Sequence, residues 1–345
     1  MMIFFKKLRK KYSNKRWFGK YIFYALGELI LIILGIMLAL NFDNNNDRNQ
    51  NEEQFIYTLS QLQNELKANI EMTRKGIRYY EDLDSKFSSV MSDTLKASDL
   101  RTWDGYYLTN FIFNSFTSEV TNNNYQKLNQ YSVNIDEKYN PVIDKLDELY
   151  LIEEKRLITL DDRMKKLTEL NEIRMENQEP WFYHYFWTDK ISDEAADFFI
   201  NDSIHKNRIA GYYKLSRGHL KAIKHYRVKA IECYSAINKL IDPQNKNELI
   251  SLGYSVNKLV LNSYVGKYKY EKSDQAIISI KNDKLHVKIM QGGKTFNSQL
   301  YPLSINEFFI INESMIFKFQ DFFKFNSDSL VWKMFGVDYK FIKSE

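Results

Sequence analysis

Residues 21–40 read YIFYALGELILIILGIMLAL, twenty residues with a single ionisable group, Glu28. At about 1.5 Å of rise per residue, a helix of that length spans roughly 30 Å, the thickness of a hydrocarbon core. One transmembrane helix, Tyr21 to Phe42, is predicted, and the rest of the chain is read outward from it. If the span began after Glu28, only about fourteen residues would remain before Asp43, too few to cross. The carboxylate therefore belongs inside the span.

Charge orients the helix. Lys6, Lys7, Arg9, Lys10, Lys11, Lys15, Arg16 and Lys20 precede it without an accompanying acid, and NFDNNNDRNQNEE follows it. Lys and Arg are retained on the cytoplasmic face, so the N-terminus is expected inside and the bulk of the chain outside. Ala39 is followed by Leu40, Asn41 and Phe42 rather than by a small-residue cleavage site, which favours a retained anchor over a removed signal peptide. With the eight tail charges set aside, the net charge of +5 becomes 41 basic against 44 acidic residues, which leaves no footprint for a phosphate backbone. Nucleic acid is not expected as a partner.

A carboxylate one third of the way into a span is costly and is usually paired, protonated or turned toward protein. Tyr21, Ala25, Glu28, Ile32, Gly35, Ala39 and Phe42 recur at alternating spacings of four and three, so they share one helix face. Ala25, Gly35 and Ala39 are small enough to admit another helix, and Glu28 supplies a group that can hydrogen-bond across the contact. The face predicts a span that self-associates or pairs with the helix of a partner membrane protein. The competing reading has Glu28 snorkelling toward Lys20 and the headgroups. A proton path is disfavoured, because a lone span offers no second wall.

Lys20-Tyr21, Tyr24-Ala25-Leu26-Gly27-Glu28 and Gly35-Ile36-Met37-Leu38-Ala39-Leu40-Asn41, set behind a basic tail, resemble a widespread family of uncharacterised single-span membrane proteins of Bacteroidota. Asn122-Asn123-Asn124-Tyr125-Gln126-Lys127-Leu128 is similar to a second element of that family. The Trp that the family carries just after the span is missing from Asn41-Phe42-Asp43-Asn44-Asn45. The resemblance covers about the first 240 residues. It implies an inner-membrane protein with a periplasmic ectodomain, and it brings no catalytic residues.

Only four Pro and twelve Gly punctuate the chain, so long helices are expected. Beyond an Asn-rich joint, Phe55, Leu59, Leu62, Leu66 and Ile70 form an apolar stripe, the mark of an amphipathic helix continuing the anchor. Two more helical stretches follow, about Ile135 to Glu176 and about Asp193 to Ile241, the latter broken near Asn201 or Gly211. The three predict a bundle. Between the last two lies Trp181-Phe182-Tyr183-His184-Tyr185-Phe186-Trp187, seven successive rings that cannot all face one core. Either they cap the bundle against Trp103, Tyr106, Tyr107, Phe111 and Phe113, or Trp181, Phe182, Tyr183, Tyr185, Phe186 and Trp187 dock a partner or ligand.

From about Asn257 the pattern changes to short alternating runs, 264–268, 276–280 and 284–289, separated by Lys281-Asn282-Asp283 and Gln291-Gly292-Gly293, turn chemistry at hairpin spacing. A meander of about eight strands is predicted, with Leu303, Phe308, Phe309, Ile316, Phe317, Phe319, Trp332 and Phe335 in its core. Tyr264-Val265-Gly266-Lys267-Tyr268, Asn282-Asp283-Lys284-Leu285 and Leu303 to Phe309 resemble the small barrel-like domain appended to serine hydrolases of the beta-lactamase type. The fold class expected is α+β, mainly α: a tail at 1–20, a transmembrane helix at 21–42, a helical ectodomain at 43–242, a linker at 243–256 and an antiparallel β domain at 257–345.

Chemistry-bearing motifs are sparse. Ser203-Ile204-His205-Lys206 and Ser255-Val256-Asn257-Lys258 match the hydrolase Ser-x-x-Lys, but a chain this rich in Ser and Lys produces such matches by chance, and neither Ser-Asp-Asn nor Lys-Thr-Gly is present. His184, His205, His219, His225 and His286 never fall at zinc-binding spacing. Asp43, Asn45 and Asp47 open like a calcium loop, yet Arg48 stands where Gly is needed and Gln54 where Glu is. Cys233 reads as a small buried residue, and Asp161, Asp162 and Glu169 as a solvated helix face. No catalytic residue, metal or cofactor is expected. The predicted function is a membrane-anchored, non-enzymatic interaction or scaffold protein, with a periplasmic ligand sensor as the alternative and an envelope hydrolase as the second.

Overall fold

The computed structural model describes residues 15–92, 94–101, 108–131, 135–187, 191–245, 247–270, 274–320, 329–334 and 336–344. Its chain divides into two compact units, Met1–Thr58 with Lys127–Glu137, and Leu59–Gln126 with Lys138–Glu345. The class is α+β and mainly helical.

Helix α1, Lys15–Val90, contributes to both units. In the first unit it holds a stretch long and apolar enough to cross a membrane, with a mean hydropathy of 2.3 over its most apolar window. The Asn-rich segment read as a joint is helical instead. It contains no Gly or Pro, and the propensity cost of Asn and Asp, about 0.6 kcal/mol each, does not interrupt a helix already nucleated on both sides. Within this unit the Arg48 guanidinium donates to Asp136 Oδ2 at 3.0 Å.

In the second unit α1 buries the predicted stripe completely: Leu59, Leu62, Leu66 and Ile70 are all 0% exposed, and the stripe runs on through Ile77, Tyr80 and Leu83. The strap 114–122 leads into α2, Asn123–Tyr131. Helix α3, Asn140–Asp147, begins with Pro141 in its first turn, where the missing N–H costs nothing, so it starts later than the predicted Ile135. A π-helical turn, Glu148–Glu153, joins it to α4, Glu154–Gln178. After the short α5, Phe182–Trp187, come α6, Asp193–Asn201, and α7, Ser203–Ile241, which packs on α4. The break expected near Asn201 or Gly211 falls at Asp202, whose carboxylate caps α7 by accepting from the His205 N–H at 2.5 Å. Gly211 lies inside the helix.

Past α8, Glu248–Ser251, and α9, Lys258–Tyr264, nine antiparallel strands follow. They are β1 Gly266–Lys269, β2 Gln275–Lys281, β3 Lys284–Gln291, β4 Lys294–Gln299, β5 Tyr301–Pro302, β6 Glu307–Phe309, β7 Ile316–Gln320, β8 Ser329–Met334 and β9 Val337–Lys343. The predicted turns have the left-handed backbone that two-residue hairpins demand, with φ of 51° and 59° at Asn282 and Asp283, and 53° and 77° at Gly292 and Gly293. The sheet order is β4-β3-β2-β1-β9-β8-β7-β6-β5. Its two ends are separated along the chain by Leu300 alone, so one bent strand pairs with β3 through its first part and with β6 through its last. The sheet is thereby nearly closed into a barrel.

Aromatic rings fill the interior. Tyr264, Tyr268, Phe308, Phe317, Phe319, Trp332 and Phe341 form its core, with Tyr264 stacked on Phe319 at 4.1 Å. Leu303, Phe309 and Ile316 are buried as predicted, and Phe335 lies outside the described residues.

Barrel and bundle share one compact unit. Arg78 of α1 pairs with Glu307 of β6, and Lys333 of β8 with Glu81 of α1 at 3.3 Å. Gly336, in the β8–β9 turn, lies so close to α1 that a Cβ there would be 2.6 Å from Ser85 Cα. The β domain is docked on the helical bundle.

Candidate functional site: an exposed apolar helix and a polar seam

Ala25, Glu28, Gly35 and Ala39 sit at the spacing of one helix face, and all four are exposed. A Cβ built on Gly35 would meet nothing within 4 Å. None of the most apolar window is buried within the chain. Among the described residues nothing covers this face.

Several buried polar groups of the second unit, by contrast, are engaged by their neighbours. The strap is gripped from three helices. Asn69 of α1 pairs with the Thr121 backbone as one amide pairs with another, accepting from its N–H at 3.0 Å and donating to its carbonyl at 2.8 Å. Glu65 Oε2 accepts from the Asn124 N–H at 3.1 Å and from its side chain at 2.8 Å, and Asn122 donates to Glu154 Oε1 at 2.7 Å. The Asn122-Asn123-Asn124-Tyr125 element is thus a cross-brace. Replacing Asn69 by Ala leaves the strap's amide and carbonyl without these partners and is expected to cost about 2 kcal/mol, read from chemical denaturation of the full chain.

Further along the strap, Tyr80, His219, Asp161 and Ser118 meet. The Tyr80 hydroxyl is 2.7 Å from His219 Nδ1, Asp161 Oδ1 is 3.0 Å from His219 Nε2, and Ser118 Oγ is 3.3 Å from that same nitrogen. Activating a serine requires carboxylate and hydroxyl on opposite ring nitrogens, whereas here both meet Nε2. The Ser118 N–H also points at Asp161, 3.2 Å from each oxygen. These contacts fasten the strap, and Ser118 does not stand where a His-activated serine would. Asp161, read as part of a solvated face, is a brace in this seam.

Lys224 of α7 is 1% exposed and donates to the Ile310 and Glu313 carbonyls of the β6–β7 turn at 3.1 and 2.6 Å. Its ammonium lies 5.4 Å from the centre of the Phe309 ring. Burial pushes the amine down to about 7, opposed by Asp84. Asp84 is itself pushed up by burial while it accepts from Tyr213 at 2.7 Å. The cavity beside them, lined by Glu81, Asp84, Lys224, Ser314 and Lys333, measures about 10 Å³, room for one water and no substrate.

The aromatic run divides. Trp181 and Phe182 are buried among Leu100, Met175, Ala195 and Phe199, Tyr183 and His184 are exposed, and the side chains of Tyr185, Phe186 and Trp187 lie outside what the structure describes, as do Trp103, Tyr106 and Tyr107. Cys233 is buried and its thiol is pushed up to about 12 by desolvation. Ser203 is exposed at the start of α7, and Lys258 is drawn to Asp283 at 2.8 Å. Among the described residues no three His, Cys, Asp or Glu side chains gather in a metal-binding group.

His205 is 0% exposed, and neither ring nitrogen has a hydrogen-bond partner. Burial and then Arg208 push it down to about 4, with Asp202 acting the other way. A base depressed on folding supports the fold above its unfolded pKa of about 6.5 and stops doing so as pH falls through about 4. Unfolding free energy is expected to drop by about 3 kcal/mol across that window, and His205→Phe to flatten the profile. Denaturant titrations at stepped pH measure both.

Comparison with family models, with curated proteins and with solved structures finds no match.

Proposed function

We propose that this chain is a membrane-anchored interaction or scaffold protein without a catalytic centre of its own, set in the inner membrane with its bulk in the periplasm. The observation that carries the reading is a contrast. Asn69, Asp161, His219 and Lys224 of the ectodomain brace its own strap and barrel, while the helix face through Ala25, Glu28, Gly35 and Ala39 is exposed. In lipid, helix association draws on close backbone approach at small residues and on hydrogen bonds between spans, both of which this face supplies.

The test is a membrane two-hybrid measurement on the full chain. Glu28→Leu and Gly35→Leu are each expected to lower self-association at least about fivefold, since an interhelical polar contact in a membrane is worth about 1–2 kcal/mol. Self-association equal to the parent in both variants would remove the reading.

A further inference from the structure

Charge is distributed unevenly along the ectodomain. Residues 257–345 carry 13 Lys against 9 acidic side chains, whereas residues 21–256 carry 28 basic against 35 acidic ones. The positive excess has a place in the fold. Tyr268, Ala276, Ile278, Leu285, Val287 and Ile289 point into the barrel, so the alternate positions Lys267, Lys269, Lys281, Lys284 and Lys288 share its outer face.

The register sets these lysines side by side. Lys267 is opposite Ile277, Ile277 is opposite Lys288, and Lys281 is opposite Lys284. With neighbouring strands about 4.8 Å apart and alternate residues about 6.8 Å apart, Lys267, Lys269 and Lys288 lie within roughly 12 Å of one another. All five are exposed, and no carboxylate occurs in β1, β2, β3 or β4 to neutralise them. His286, on the same face, is pushed down by burial and then by Lys281 and Lys284.

The negative excess has a place too. Where α6 meets α7, a groove is lined by Glu179, Trp181, Glu194, Asp197, Phe198, Asn201 and Asp202, four carboxylates on an aromatic floor with no Lys or Arg among them. Asp202 and Glu194 each push the Glu179 carboxyl up, after burial, and Arg208, which opposes them, is engaged with Gln178 at 2.8 Å.

We propose that the basic outer face of β1–β3 docks in the acidic groove at α6–α7 of a second copy of this chain. The charges are opposite in sign, and the lysines project from the outer face of the barrel toward solvent. The inference rests on the span reading only in that paired spans would raise the local concentration of ectodomains.

The test places a photocrosslinking amino acid at position 277 of the full chain in nanodiscs of neutral lipid and maps the products. Intermolecular crosslinks are expected at residues 194–202, weakening in high salt. Both K267E/K269E/K288E and E194K/D197K should lower the dimer yield about tenfold, and the chain carrying both sets should recover it to within about twofold. These positions are exposed, so a thermal melt equal to the parent shows that each variant folds. Losses without recovery, or no loss, would overturn the proposal. So would crosslinks that appear only to lipid when phosphatidylglycerol is included, since an anionic bilayer would then be the occupant. Glu28→Leu separates the two readings: if it leaves the dimer yield untouched while the charge swap still rescues, the span reading fails and this one stands.

Discussion

Lys224→Ala is expected to destabilise the second unit by about 3 kcal/mol and to loosen the β6–β7 turn ahead of the rest of the barrel. Lys224 is the deepest tie between bundle and barrel, with its ammonium on the Ile310 and Glu313 carbonyls and against the Phe309 ring. Truncation removes the donor from two carbonyls facing the bundle and opens a void where four methylenes packed. Surface pairs cannot substitute. Arg217 and Glu313 are 3.5 Å apart at side-chain exposures of 29% and 35%, and such pairs contribute about 0–1 kcal/mol. Lys224→Met keeps most of the volume and should cost about half as much. Denaturant titration gives the size of the effect, and hydrogen exchange at residues 310–315 its place. A turn as protected as in the parent would show that the barrel is held elsewhere.

Gly336→Val should be at least as damaging, by a different route. The residue has φ of +74°, which a β-branched side chain rarely adopts, and its missing Cβ would lie 2.6 Å from Ser85 Cα and 3.1 Å from Ser85 N. The obstacle is backbone, so no rotamer change relieves it. The β8–β9 turn would have to leave α1, which strains the Lys333–Glu81 pair beside it. A loss of about 3 kcal/mol or more is expected, with cleavage of the 329–343 hairpin at protease levels the parent resists. Gly336→Ala should fall between the two. A valine variant with the parent's melting temperature would show that the turn does not rest on the helix.

Much of this was legible in the sequence, and the reason is periodicity. Phe55, Leu59, Leu62, Leu66, Asn69, Thr73, Gly76, Tyr80 and Leu83 alternate by four and three, as do His205, Ile209, Tyr212, Ser216, His219, Ile223, Tyr226, Ala230 and Cys233, and all are buried. Reading only the apolar members of such stripes finds the helices and misses the seam, because Asn69, Thr73, Ser216 and His219 occupy core positions as polar residues. Asp161 shows this most clearly. Judged by its charge it belongs to a solvated face, yet Leu157, Asp161, Met164, Thr168, Asn171 and Met175 keep the same alternation, and His219 and Ser118 meet it there. Spacing, rather than residue type, was the signal that could have placed it.

The hairpins were legible for a local reason, since Asn282-Asp283 and Gly292-Gly293 take the positive φ that their turns require. The docking of barrel on bundle was not. It depends on Lys224, Arg78, Glu81 and Gly336 being brought together from positions up to 260 residues apart, and nothing local marks a lysine as buried or a glycine as touching a distant backbone. The span face lies between these cases. Its pattern is local and complete, and the partner proposed for it would belong to another chain.

Single-cysteine scanning of positions 25–39 in the native membrane measures that face most directly. Cys233 is buried with its thiol pushed up to about 12, so it stays silent while each introduced thiol reports. Crosslinking should peak at positions 25, 28, 32, 35 and 39 and fall to a minimum between them, with Gly35→Cys and Ala39→Cys the strongest. A flat profile, or maxima on the opposite face at 26, 30, 33 and 37, would contradict the assignment of this helix as the contact surface.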